Sequence, residues 1–107
     1  LYMGLVEVGV GLIPGAGGTK EMILRLGEAE KAFDLIGWGR VSTSAAHAAE
    51  LGFLRTGDGI TMNPDRLIAD AKTRALAIAR AFQPGQPRED IAVGGEAAFA
   101  RMKITMH

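Results

Sequence analysis

One acidic residue, Glu7, interrupts an apolar run near the start of the chain, in the stretch EVGVGLIPGAGGT. Apolar surroundings disfavour the ionised form of a carboxyl group, and a neutral carboxylic acid is suited to donating a proton in catalysis. The residue type alone leaves two interpretations open. Glu7 either faces solvent from the edge of a strand, which is the commoner case for an isolated glutamate, or serves as an acid or base in a site.

A proline and several glycines follow Glu7, and they indicate a turn before a helix. Gly15 has no Cβ, so its backbone can approach a substrate or a water molecule closely, and this role is compatible with a turn. No Gly-Lys-Ser/Thr sequence follows, which excludes the common phosphate-binding loop. The glycine spacing also fits poorly with a dinucleotide-binding strand, turn and helix, and that interpretation is disfavoured.

The elements that would position these residues are mainly helical. Residues 1–13 are predicted to be extended, as a buried strand or a buried loop, because their apolar residues do not alternate. A first helix should begin near Thr19 and end at Gly27, and a second should cover residues 28–36. Further helices are predicted over residues 45–51, 64–82 and 95–106, with short extended pieces at Val41 and at residues 53–54.

The composition limits the class of protein. The chain has 107 residues, of which 48% are hydrophobic, and its 12 basic residues balance its 12 acidic ones. That length suits one domain, and the balanced charge gives no reason to expect nucleic acid as a partner. With no cysteine, disulfides and cysteine-ligated metals are excluded, and no metal site is predicted. We expect a cytoplasmic protein without a membrane span.

Trp38 lies between two glycines, where the second predicted helix ends. An aromatic side chain at such a break either packs in a core or an interface, which is the commoner case, or lines a ligand pocket. His47 lies among alanines in the third predicted helix and is expected to be a packing or surface residue rather than a metal ligand.

Two segments together resemble the enoyl-CoA hydratase/isomerase (crotonase) family. The first is Glu7 with the following IPGAGGT, and the second is GWGRVSTSAAHAAELGFL in residues 37–54. The resemblance implies the C-terminal helical part of a crotonase-like α/β domain, a superhelix of ββα units, and hence a mainly α chain with short β segments. Residues 1–107 would form a single partial domain, with residues 83–107 as a possible extra helical tail.

The resemblance also implies a function and a set of site residues. The chain would be a piece of an enoyl-CoA hydratase, a lyase of fatty acid β-oxidation, and is most similar to the hydratase part of multifunctional proteins that also carry a 3-hydroxyacyl-CoA dehydrogenase. Glu7 would protonate the α-carbon, the Gly15 N–H would hold the catalytic water, and Pro14 and Trp38 would contact the acyl-CoA substrate. No cofactor is implied, except NAD if a dehydrogenase domain is fused in the parent protein.

Other functions remain open at this stage. An enoyl-CoA isomerase can use one carboxylate, and a catalytically silent helical module could serve for oligomerisation. A homo-oligomer is expected either way, because the apolar run before Pro14 should associate. The family's oxyanion hole and second glutamate would lie before Leu1, so the isolated chain is predicted to be inactive. A chain that begins with Leu1 is expected to be a fragment, although a processed complete domain is the alternative.

Overall fold

The computed structural model describes residues 1–106, and His107 lies outside them. Helix dominates these residues, which confirms the prediction of a mainly α chain. The described residues divide into two compact units: residues 1–56 with those from 90 onward form unit 1, and residues 57–89 form unit 2. A crotonase-like superhelix stays a prediction for this chain.

Four α-helices belong to unit 1. They are α1 (Gly18–Leu26), α2 (Ala29–Gly37), α3 (Ala45–Glu50) and α5 (Gly95–Thr105). Helix α1 begins after Gly17 and ends at Gly27, and both glycines have positive φ angles that favour glycine. Helix α3 begins at Ser44, whose side chain accepts a hydrogen bond from the His47 N–H at 3.0 Å.

The core of unit 1 lies among α1, α2 and the segment around α3. Its buried side chains are Met22, Ala32, Leu35, Ile36, Ala48 and Phe53. The spacing of the three α2 residues places them on one face of the helix, as the periodicity of the sequence predicted for Ala32 and Ile36. This core holds α2 in place, and α2 in turn supplies one wall of the site described below.

The first thirteen residues differ from the extended, buried segment that the sequence predicted. A 3-10 helix, Glu7–Val10, ends at Gly11 with a φ of 77°, and the apolar side chains around it are largely exposed. Extended pairing within the described residues is limited to an isolated antiparallel bridge between Gly4 and Val41. The bridge confirms the extended residue predicted at Val41, whereas Phe53 and Leu54 lie in a bend rather than in a strand.

Unit 2 contains a 3-10 helix, Pro64–Arg66, which leads directly into α4 (Leu67–Ala79). Asn63 caps this start as predicted, because its side-chain oxygen accepts the Asp65 N–H at 3.0 Å. Thr61 donates a hydrogen bond to the Asp70 carboxylate at 3.0 Å, which ties the preceding loop to the helix. The predicted helix over residues 64–82 is therefore present in shortened form.

Candidate functional site: an apolar cavity in unit 1

Unit 1 contains an apolar cavity of about 700 Å³. It lies between the N-terminal segment, residues 1–14, and helices α1, α2 and α5. Cavities of this size are typical of small-molecule sites, which are mostly apolar with few polar groups. Its lining comprises Val8, Ile13, Pro14, Thr19, Ile23, Ala29, Ala32, Phe33, Ile36, Gly37, Trp38, Val93, Met102, Thr105 and Met106. Such a lining suits an alkyl group better than a charged ligand.

Helix α2 forms the most continuous wall of the cavity. Ala29, Ala32, Phe33 and Ile36 follow one another at intervals of three, one and three residues along one face, which is the apolar stripe that the sequence predicted. Alanines at two of these positions leave space that larger side chains would occupy. This wall of the cavity is therefore a helix anchored in the core, with unfilled space next to its two alanines.

Pro14 and Trp38, the two residues predicted to contact a substrate, both line this cavity. Pro14 is buried, whereas Trp38 is 68% exposed and stands at the end of α2, where its N–H donates to the Asp34 carbonyl at 3.2 Å. An exposed indole beside an apolar cavity has a face available for a ligand. The two residues are far apart in sequence, and the fold brings them to one cavity.

Glu7 lies in the first turn of the 3-10 helix and is not among the lining residues, although the next residue, Val8, is. Its Oε2 atom is buried and has no hydrogen-bond partner within the described residues. Native proteins pair most buried polar atoms, so an unpaired carboxylate oxygen requires an explanation.

Gly15 is exposed and also lies outside the cavity lining, directly after Pro14. Its carbonyl accepts a hydrogen bond from the Gly18 N–H at 3.2 Å, which forms the turn that leads into α1. A Cβ built at Gly15 would meet no atom within 4 Å. Packing within unit 1 therefore does not require glycine here, and the predicted role of its N–H remains a separate proposal.

The glycine-rich stretch does not form a dinucleotide site in the described residues. A dinucleotide site requires a strand, a tight glycine turn and a helix in succession. Here a 3-10 helix and an irregular segment precede α1, and Gly17 is the residue before that helix. These residues do not fit a nicotinamide cofactor, so no step through one is assigned to them.

Helix α5 supplies the other side of the cavity through Met102 and Thr105, together with Met106 directly after the helix. Arg101, on the same helix, pairs with Glu30 of α2, with its Nε 2.7 Å from the Oε1 atom of the carboxylate. The hydrogen bond from Arg101 lowers the pKa of Glu30, with a smaller opposing effect from desolvation. Sequence reasoning predicted the helix and missed this wall, although two methionines four residues apart indicate a shared face.

Two classes of site are not found in residues 1–106. No group of three or more histidine, aspartate and glutamate side chains there is arranged to hold a metal ion. Within the same residues, no helix combines the length and the apolar character needed to cross a membrane. His47 is engaged locally rather than in a metal site: its Nδ1 atom accepts the Thr43 N–H at 3.2 Å and lies 3.2 Å from the Thr43 hydroxyl.

Comparison with curated proteins finds one similar over nearly the whole chain. It is named "Probable 3-hydroxyacyl-CoA dehydrogenase" from Bacillus subtilis (strain 168), and it is 38% identical over an alignment of 111 positions that covers 96% of this chain. The chain spans only 14% of that protein's length. No family model matches the chain, and no solved structure is significantly similar to it.

This similarity corrects the activity expected from the sequence. The chain was expected to be an enoyl-CoA hydratase, a lyase, whereas the relative is named as a dehydrogenase, which is an oxidoreductase. The hydratase assignment is therefore wrong. The assignment rested on the motifs around Glu7 and Gly15, and no family model matches this chain.

Proposed function

We propose that unit 1 binds the acyl chain of a fatty acyl-CoA, as one segment of a protein that acts in fatty acid β-oxidation. The observation that carries this proposal is the apolar cavity of about 700 Å³ beside Trp38. The name of the relative supplies the class of ligand, because 3-hydroxyacyl-CoA consists of an acyl chain joined to CoA. We further predict a cytoplasmic location.

The cavity suits an alkyl chain on energetic grounds. Each methylene group that leaves water contributes about 0.8 kcal/mol to binding. Ala29 and Ala32 leave space along the α2 wall, and Ile13, Pro14 and Trp38 provide apolar contacts. We therefore expect affinity to rise with acyl length until the cavity is filled.

Glu7 and Gly15 are proposed to lie near the thioester end of the bound acyl group. Val8 and Pro14, their immediate neighbours in sequence, line the cavity, and the Glu7 Oε2 atom lacks a partner. The isolated chain is predicted to bind acyl-CoA without catalysing its conversion.

Fluorescence of Trp38 tests the proposal directly, because the chain has one tryptophan. Titration with decanoyl-CoA should change the emission in a saturable way, whereas CoA without an acyl group should not. The absence of a saturable change with every acyl chain from butanoyl to hexadecanoyl would refute the proposal.

Two matched variants test whether the cavity is the binding site. Ile13 lines the cavity, Met62 belongs to unit 2, and both are 89% exposed, so aspartate at either position should preserve the fold. We expect Ile13→Asp to weaken decanoyl-CoA binding about tenfold, because contact with a large aliphatic side chain contributes roughly 1.5 kcal/mol. Met62→Asp should leave the affinity unchanged. Equal effects of the two substitutions would place binding elsewhere.

A further inference from the structure

Helix α5 is attached to the rest of unit 1 by few contacts. Ala98 is its one buried residue among those described, at 2% exposure, and its remaining side chains are exposed or half-buried. Segments with little buried apolar surface open more readily than the core. Helix α2, on the opposite side of the cavity, is instead anchored by Ala32, Leu35 and Ile36.

The start of α5 has the backbone of a flexible connection. Gly94 and Gly95 have φ values of 77° and 58°, a region that favours glycine, and residues 83–94 before the helix contain no regular structure. A Cβ on Gly94 would lie 2.6 Å from the Cβ of Ala98, so a larger residue would disturb the first turn. Two consecutive glycines allow the helix to pivot about this point.

One ion pair joins α5 to α2 across the side of the cavity. The Nη2 atom of Arg101 lies 2.5 Å from Oε1 of Glu30, and its Nε atom lies 2.7 Å from the same oxygen. Both side chains are exposed, at 58% and 40%, and exposed ion pairs contribute little to stability. The pair can therefore hold the position of the helix without making its displacement difficult.

The residues that α5 presents to the cavity are themselves adaptable. Met102 and Met106 lie one helical turn apart and both line the cavity. Methionine has three rotatable side-chain bonds and fills irregular spaces, which is why it recurs at surfaces that accept several partners. A wall of this kind can accommodate ligands of different length.

We propose that α5 is a movable wall of the cavity, and that the Glu30–Arg101 pair sets the length of acyl chain that the cavity accepts. This inference rests on the proposed function, because it concerns the same cavity. With the pair intact, the helix confines the cavity and disfavours long chains. When the pair is broken, α5 pivots at Gly94 and Gly95 and admits longer ones.

The test compares butanoyl-, decanoyl- and hexadecanoyl-CoA by Trp38 fluorescence in the 107-residue chain and its variants. Arg101→Gln and Glu30→Gln should each raise the affinity for hexadecanoyl-CoA relative to decanoyl-CoA by roughly two- to fivefold, the modest effect expected of an exposed pair. The charge swap that combines Glu30→Arg with Arg101→Glu should restore the original ratio. A ratio that stays the same in both single variants would overturn the inference.

Lys31→Gln is the matched control. Lys31 pairs with Glu28 at 2.9 Å, within one helical turn at the start of α2, and this pair does not reach α5. The control should leave both the chain-length ratio and the structure of α5 unchanged. A shift equal to that of Arg101→Gln would show a general effect of charge and would count against the proposed wall.

Hydrogen exchange separates this inference from the proposed function, because it requires no ligand. Arg101→Gln and Glu30→Gln should accelerate exchange of the α5 amides and leave those of α2 unchanged, whereas Lys31→Gln should affect neither helix. If exchange of the α5 amides accelerates but no form of the chain binds acyl-CoA, the movable helix is retained and the acyl site is refuted. Binding without acceleration would retain the site and refute the movable wall.

Discussion

At the scale of single residues, Ser42 connects the N-terminal segment to the loop before α3. Its side chain is completely buried, its hydroxyl donates to the Leu1 carbonyl at 3.0 Å, and it accepts the Met3 N–H at 3.0 Å. The Ser42 N–H also donates to the Met3 carbonyl at 2.9 Å. One side chain therefore satisfies two backbone groups about forty residues away in sequence, and it helps to position the segment that carries Glu7.

We predict that Ser42→Ala lowers the free energy of unfolding by about 1–3 kcal/mol, because it leaves backbone polar groups unpaired in a buried place. Urea denaturation measures the change. Thr73→Ala is the control, since the Thr73 hydroxyl donates to the Ala69 carbonyl within the exposed helix α4, and a change of no more than about 0.5 kcal/mol is expected there. Equal losses in the two variants would contradict the connecting role of Ser42.

Glu7 is expected to reduce stability in return for its proposed role. Its Oε2 atom is buried without a partner, and burying a polar atom in that state costs about 1–3 kcal/mol. We predict that Glu7→Met, which keeps the length of the side chain, raises the free energy of unfolding by about 1 kcal/mol. Glu89→Met, at an exposed position, should change it little. A clear loss of stability in Glu7→Met would show that the carboxylate has a structural role instead.

At the scale of elements, the contact between α2 and α5 should depend on pH. Arg101 lowers the pKa of Glu30 in the folded chain. Between this lowered pKa and the ordinary pKa of glutamate, the unfolded chain therefore binds more protons than the folded chain. The stability that this pair confers is complete above the ordinary pKa of glutamate. It is lost as the pH falls through the lowered pKa of the folded chain.

Carboxyl NMR titration measures this effect at Glu30 itself. We predict a midpoint for Glu30 below that of an ordinary glutamate, and a midpoint closer to the ordinary value in Arg101→Gln, because the hydrogen-bond donor is then absent. The hydrogen bond from Lys20 lowers the pKa of Glu21 independently, so the midpoint of Glu21 should not move in this variant. Identical Glu30 midpoints in the two proteins would mean that the pair does not persist in solution.

At the scale of the whole molecule, sequence reasoning predicted the helices well because their signals are local. Helix α2 follows from its apolar stripe, and α3 follows from the capping residue Ser44. The prediction of an extended segment over the first thirteen residues was wrong for a physical reason. Glu7–Val10 contains valine and glycine in alternation, which favours an extended chain, whereas the turn ending at Gly11 depends on a positive φ that many glycines could have adopted.

The site was predictable only in part. Pro14 and Trp38 were named from a family resemblance, and the fold places both at the cavity. The pairing between α5 and α2 could not be predicted, because Arg101 and Glu30 are 71 residues apart in sequence. Local periodicity carries no information about which of several exposed charges will pair, and pairing of this kind is decided by the packing of the helices.

Self-association is the remaining property of the whole molecule that the sequence predicted and that stays a prediction. The N-terminal segment exposes Val10 at 77% and Leu12 at 61%, beside other apolar residues. Contiguous exposed apolar surface is typical of protein interfaces. We expect the chain to form oligomers at high concentration through this segment, which is also what a silent oligomerisation module would do.

Light scattering after size exclusion distinguishes the surface responsible. The double substitution Val10→Lys and Leu12→Lys should shift the chain toward the monomer, because it places like charges in the apolar contact. The matched control is the double substitution Ile68→Lys and Leu76→Lys in α4, where the two side chains are 82% and 62% exposed. It should leave the oligomeric state unchanged. If only the α4 pair produces monomers, association occurs through unit 2, and the N-terminal segment remains available to the acyl-CoA cavity. A strictly monomeric parent chain would refute the predicted oligomer altogether.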